Sequence, residues 1–300
     1  MSQFEEMQNF IRVVEAGSIT KAADQTDTVK SAVSRRLAEL ERRLGVSLLA
    51  RTTRSQSLTE TGRSYYLRCL QIIDDVAELE SSIKDEQCAL RGKIKVAVPL
   101  SFGLTHLAPA LNQFNLIHPD IHLNVDFNDR KVDIIEEGFD LAFRIAELED
   151  SNLIARKITS VRLILLASPS YIEKFGLPNH PQDLAKNHVK VQYKDSPESL
   201  EFNLEGKTAQ IRIPSVLHSN NGDYLCQAAI AGKGIILTPD FICYKFIKNG
   251  QLIPILSQYL PKNEIGAYAI YPQNRHLSKR VRSLVDYLIE YFGQEPYWKI

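Results

Sequence analysis

Between residues 30 and 68 this 300-residue chain sets nine cations, Lys30, Arg35, Arg36, Arg42, Arg43, Arg51, Arg54, Arg63 and Arg68, against three anions, Glu39, Glu41 and Glu60. The whole chain is formally neutral, so the remainder carries a compensating negative charge. A basic segment on a neutral body has the chemistry of a polyanion-binding head. Within it lies "VKSAVSRRLAELERRLG", Val29 to Gly45. Val33, Leu37, Leu40 and Leu44 recur as one apolar stripe of a helix. At about 100° per residue, Ser31, Arg35, Ala38 and Arg42 fall on the far side. Small residues there let the backbone approach another surface, and Arg35 and Arg42 then reach phosphates or a guanine edge. Ser34 adds a hydroxyl for a phosphate or a base. A charged, solvated surface helix would show the same residues, so the neighbouring elements decide between the two.

Other clusters are weaker. His118 and His122 are four apart, but Pro119 breaks the helix that would align them on a metal. Lys233 between Gly232 and Gly234 lacks phosphate-loop spacing. Cys69, Cys88, Cys226 and Cys243 are dispersed, with no CxxC, and fit a reduced, cytoplasmic compartment. Cys226 and Cys243 stand in apolar runs and read as core rather than as a redox pair. No nucleophile–base pairing or cofactor fingerprint is visible, so neither enzyme chemistry nor a cofactor is expected. No apolar run is long enough for a membrane span, and "MSQFEEMQNF" is unlike a signal peptide.

The elements that position the basic helix are legible. Phe4, Met7, Phe10, Ile11 and Val14 form a first helix stopped by Gly17. Ser18 caps a short second helix holding Ala22 and Ala23. A polar stretch from Asp24 to Thr28 leads into the basic helix, which ends at Gly45. Helix, short helix, turn, helix is the order of a helix-turn-helix. Two short strands around Arg51 to Ser57 make a wing carrying Arg51, Thr53 and Arg54. Thr59 caps a long helix running to about Ala89, with Tyr66, Leu70, Ile73, Val76, Ala77, Leu79 and Ile83 on its apolar side. Outside a compact core, such a stripe is buried most simply against a second copy. From Arg91 the pattern becomes β-α-β: "KIKVAVP", a helix on Leu104, Leu107, Leu111 and Phe114, "IHLNVDF", a short helix at "VDIIEEG" and "DLAFRI". It resumes with "RLILLAS", "VKVQY", a hairpin through Gly206, "SVLHSN", a helix from about Asp223, "GIILTP", "GAYAIYP" and a last helix. This rhythm predicts an α/β body with a largely parallel sheet and room for two lobes.

The segments "FIRVVEAGSITKAA", "SAVSRRLAELERRLGVSLLARTTR" and "LTETG" resemble the N-terminal signature of the LysR-type transcriptional regulators. "GKIKVAVPLSFG", "DLAFRI" and "AAIAGKGIILTP" resemble later landmarks of that family, so the likeness spans essentially the whole chain. It implies an all-α winged helix-turn-helix head at 1–60 and a dimerising linker helix at 61–90. It also implies a two-lobed α/β effector domain of the type 2 periplasmic-binding-protein kind at 91–300. Lobe I would take about 91–165 and 267–300, and lobe II about 166–266. The expected function is sequence-specific transcriptional regulation modulated by a small molecule. Ser18, Lys30, Ser31, Ala32, Ser34, Arg35, Arg42, Arg51, Thr53 and Arg54 form the expected contact set on double-stranded DNA. Homodimers through the linker, and tetramers of two dimers, are the expected assemblies.

The effector cleft is expected where strand ends meet helix N-termini, which offer free N–H groups. Ser101, Phe102 and Gly103 open a helix after Pro99, and Ser219, Asn220 and Asn221 open another. Two facing N-termini favour an anionic effector, although Ser101 and Asn221 would look the same as simple caps. By resemblance, Asn128 with Asp129, Arg130 and Arg144 face the same cleft. One stretch departs from the family: "DQTDTVKSAVSR" has Thr26 and Thr28 near aliphatic positions and Val29 near a Ser or Thr cap. Thr28 is then expected to cap the basic helix one residue early. The rival readings are a solute-binding protein of the same two-lobed type, or a cytosolic enzyme or small-molecule binder on the α/β scaffold.

Overall fold

The structure is a computed structural model that describes residues 2–26, 28–51, 56–84, 90–146, 153–261, 265–272, 277–293 and 295–300. At residues 51, 56, 74, 75 and 77–84 the structure describes the backbone alone.

The head packs α1 (Gln3–Ala16), α2 (Ile19–Gln25) and α3 (Lys30–Leu44) around Phe10, Val13, Ala22, Ala23, Val33, Leu37 and Leu40. Ser2 and Ser18 cap α1 and α2 through their hydroxyls. Gly17 and Gly45 end α1 and α3 in the left-handed region, where a Cβ would be strained. The Glu41 carboxylate accepts the N–H groups of Leu48 and Leu49, at 2.7 and 3.1 Å, and so fixes the entry of the wing. The wing strands β1 (Leu49–Arg51) and β2 (Gln56–Leu58) pair antiparallel. Helix α4 (Glu60–Lys84) begins at Thr59, whose hydroxyl accepts from Gly62 N and donates to Ser47 O. Tyr65, Tyr66 and the buried Cys69 turn its first turns toward Phe10 of the head.

The body holds a five-stranded sheet in the order β4-β3-β5-β14-β6. Its strands are β3 (Gly92–Val98), β4 (Ile121–Phe127), β5 (Leu141–Ala146), β6 (Leu153–Val161) and β14 (Ile265–Pro272). β3 is parallel to β4 and β5, whereas β14 runs antiparallel to β5 and β6. The sheet is therefore mixed rather than largely parallel. Helices α5 (Leu100–Phe102) and α6 (Ala108–Ile117) are joined through the π-helical turn Gly103–Leu107. The second group of strands contains β7 (Leu163–Ala167), β8 (Lys190–Tyr193), β11 (Ser215–Ser219), β12 (Ile236–Pro239) and β13 (Ile253–Pro254). They pair as β12-β7-β13 and β11-β8, with a bridge from Lys190 to Ile235 joining the two. The hairpin β9 (Ser199–Leu204) and β10 (Lys207–Arg212) is antiparallel. Helices α7 (Pro169–Phe175), α8 (Leu184–Asn187), α9 (Gly222–Ile230) and α10 (Asp240–Lys248) cover this group, and α11 (Lys279–Phe292) returns to the first sheet. The short helix expected at "VDIIEEG" is a run of turns, held by Asp133 accepting from Ile135 N and Glu136 N. Side-chain bonds of that kind compete with the helical ladder.

Candidate nucleic-acid interface and effector cleft

On α3, Val33, Leu37 and Leu40 are at most 2% exposed, while Ser31, Arg35, Ala38 and Arg42 are all exposed. The outward stripe is thus free of packing duties. Two other α3 charges are engaged. Arg43 forms an ion pair with Glu6 on α1 at 2.6 Å, and Glu41 holds the wing. Among the described residues no ion pair engages Arg35 or Arg42. Lys30 is exposed, and Ala32 and Ser34 are half-buried beside the stripe. Ser18 spends its hydroxyl on Lys21 N, 3.1 Å, as the cap of α2. Thr53 and Arg54 lie outside the described residues, as does the Arg51 side chain.

The turn before α3 corrects one expectation. Thr28 does not cap the helix. Val29 occupies the cap position in extended conformation and supplies no side-chain acceptor. Thr26 is instead the C-cap of α2, and its hydroxyl donates to Ala22 O and Ala23 O at 2.9 and 3.3 Å. A threonine near an aliphatic position is accommodated because it satisfies the last carbonyls of its own helix.

A cleft of about 990 Å³ opens at the carboxyl ends of β3, β4, β5 and β8. Its lining includes Ser101, Phe102, Asn128, Arg130, Arg144 and Asn220 of the residues expected there. Three others stand behind the wall. A Cβ on Gly103 would meet Val98 and Phe127 at 2.8 and 2.9 Å, so this glycine serves a close helix–strand approach. The Ser219 hydroxyl accepts from Asn221 N, and the Asn221 amide oxygen caps α9 through Tyr224 N. Ser101 is not a cap. Pro99 stands at that position, and the Ser101 hydroxyl donates to the Asp223 carboxylate of α9 at 2.5 Å.

That contact changes the electrostatic reading. Asp223, in the first turn of α9, already supplies the negative charge that this helix terminus favours. Arg130 is committed to a two-pronged pair with Glu137, which holds the Glu137 carboxyl below its usual range. Arg144 gives one nitrogen to Val132 O at 3.0 Å. Lys131 and Lys194 line the cleft as exposed ammonium groups, opposed by Asp129 and Asp195. Lys131, Lys194 and Asp195 follow the ends of β4 and β8, where the strand-end rule that gave Asn128 applies equally. The lining also includes the apolar side chains of Val132, Leu153, Ile265 and Ile270, with Tyr268.

Behind the cleft, His106 is 1% exposed and packs against Phe102, Phe241 and Trp298. Its Nε2 lies 3.1 Å from Phe241 O and its Nδ1 2.6 Å from the Tyr297 hydroxyl. A carbonyl only accepts, so Nε2 carries the proton and Nδ1 receives the hydroxyl. Burial pushes the His106 pKa down to about 4. Cys226 is buried and its thiol is pushed up to about 12, while Cys243 is raised further by burial. Neither carries the depressed pKa of an activated thiol. Among the described residues no group of three or more potential ligands is arranged for a metal.

A helix-turn-helix head, a wing, a long helix and a two-lobed α/β body define a DNA-binding regulator with a ligand-binding module. Residues 4–63 match the family described as bacterial regulatory helix-turn-helix protein, lysR family, and residues 89–293 match the LysR substrate binding domain. The chain belongs to the LysR family of transcriptional regulators. It is 38% identical over 277 residues to an uncharacterised HTH-type transcriptional regulator of Haemophilus influenzae, covering 92% of this chain and 96% of that one. The structure of CrgA, a LysR-type transcriptional regulator from Neisseria meningitidis, superposes with a TM-score of 0.62 at 32% identity, over 98% of this chain and 100% of that one. Full-length AphB, a virulence activator of Vibrio cholerae, gives a TM-score of 0.59 at 29% identity, over 97% and 99%.

Proposed function

We propose that α3 reads duplex DNA through Ser31, Ala32, Ser34, Arg35 and Arg42, with Lys30, Ser18 and the wing residues Arg51, Thr53 and Arg54 on the sugar-phosphate backbone. The observation that carries this is the outward stripe of α3: exposed, partly small, and bearing two cations that no described carboxylate engages. The chain acts by binding rather than by catalysis, in the cytoplasm, where its DNA is. Two copies join along α4, whose Ile72 is 41% exposed and whose Ile73 and Val76 are half-buried within one protomer. Two such dimers make a tetramer. The effector occupies the 990 Å³ cleft and is anionic. Arg144, Lys131 and Lys194 support that charge preference, and Ser101 does not, because Asp223 holds it.

The test is a salt titration of DNA binding. Arg35→Ala weakens binding to a selected site by about 1–3 kcal/mol at one base-pair position and relaxes preference there. Arg54→Ala lowers affinity evenly across sequences and reduces the salt slope by about one. Parental affinity and slope in both variants would remove the assignment.

A further inference from the structure

The residue at the start of α3 is unusual in two ways at once. Val29 stands at the cap, where a Ser, Thr, Asp or Asn side chain would accept an N–H of the first turn, and it makes no such bond. It is also 65% exposed, so its methyl groups gain little from the head's core. The core of α3 starts at Val33, which is 1% exposed. A branched apolar side chain here thus forgoes a cap and stays mostly in solvent within the protomer. Its immediate neighbours on the outward side are Lys30 and Ser31, both exposed.

In a helix-turn-helix the first residues of the second helix meet base edges in the major groove. The one apolar group displayed there by B-DNA is the C5-methyl of thymine. We propose that Val29 is a specificity-determining residue that selects thymine by burying its methyl group against the valine side chain. A valine and a thymine methyl remove each other from water, whereas a serine at the same place would cap the helix and leave the methyl unread. The polar chemistry of the stripe, Arg35 above all, reads other positions. The inference rests on α3 being the DNA-reading helix.

The experiment starts from a randomised duplex pool enriched with the full-length chain. In the enriched duplex each thymine is replaced in turn by deoxyuridine, which lacks only the methyl. Affinity falls about fourfold at one thymine per half-site, the equivalent of one buried methyl group. Val29→Ser binds the thymine duplex with about the affinity that the parent has for the uridine duplex, and is indifferent to the replacement. Its melting temperature equals or exceeds the parent's, because a cap has been added. A parent indifferent to every replacement overturns the role of Val29, as does a Val29→Ser variant that keeps the same uridine penalty. If the parent enriches no sequence at all, the DNA-reading assignment of α3 falls, and this inference with it.

Discussion

At the scale of single residues, the hydrogen bond between Ser101 and Asp223 joins α5 to α9 beside the cleft. Both residues are partly or fully exposed, so solvent reduces its worth to about 1 kcal/mol. A double-mutant cycle on Ser101→Ala and Asp223→Ala, read by thermal melting, returns a coupling of that size; additive losses would sink the contact. His106 gives a second prediction. Its pKa is about 4 in the folded chain and about 6.5 unfolded, so between those values the unfolded chain holds more protons. Stability that is complete above about pH 6.5 is therefore lost as pH falls toward 4. The advantage of the parent over His106→Gln shrinks through that window by up to about 1.4 kcal/mol per pH unit. Parallel stability curves would show that His106 is not the buried neutral group. Neither contact is readable from spacing. Ser101 and Asp223 are far apart in sequence, and His106 meets Phe241 and Tyr297 only after the chain has turned back on itself.

Among the elements, α4 carries the clearest prediction. Ile73→Asp or Val76→Asp places a carboxylate in the proposed seam, where an unpaired charge is costly. Sedimentation shows weaker self-association, and DNA affinity falls with it because two half-sites are no longer held together. A folded variant with the parent's assembly state moves the seam elsewhere. Element identity was legible wherever one face is apolar: α3, α4, α11 and nearly every strand follow from their periods. β6 was missed because "LIARKITSV" mixes charges into a strand that pairs along one edge with β14. α10 was missed because "DFICYKFIK" is apolar on most sides, and Phe241, Ile242, Cys243 and Tyr244 are all buried. A short apolar run of that kind has no period to separate helix from strand. The cap of α3 was misplaced for a local reason, since Thr28 is the better capping residue by type but Val29 holds the required backbone conformation.

For the whole molecule, the two-site plan was legible because basic helix and βα body differ so strongly in composition. The lining of the cleft was legible only in part. Strand ends can be placed from sequence, but which side chains reach the space depends on how the two groups of strands face one another. A panel of small carboxylates screened by thermal shift yields at least one that raises the melting temperature, since a ligand of the native state alone adds RT ln(1 + [L]/Kd) to stability. Lys194→Ala reduces that shift without lowering the melting temperature of the free protein; Arg144→Ala reduces it too, and also lowers the melting temperature of the free protein by the loss of its hydrogen bond to Val132 O. A ligand whose shift survives both changes is not held by these cations.

The placement of β14 bears on how the chain is made. It is the interior strand between β5 and β6, yet it is synthesised about a hundred residues after them. At roughly 5–20 residues per second, the ribosome leaves both edges unpaired for about 5–20 s. Unpaired edges are templates for association with other chains. The second group of strands, β7 to β13, emerges in that interval and has its own buried residues, including Leu165, Phe202 and Ile255. It can close while the first sheet waits, and so acts as a folded spacer between nascent edges on the same polysome. Nascent chains stalled so that residue 260 has just left the tunnel should protect β7 to β13 from protease but leave β5 and β6 open to cleavage. Chains that have threaded β14 out of the tunnel should protect both.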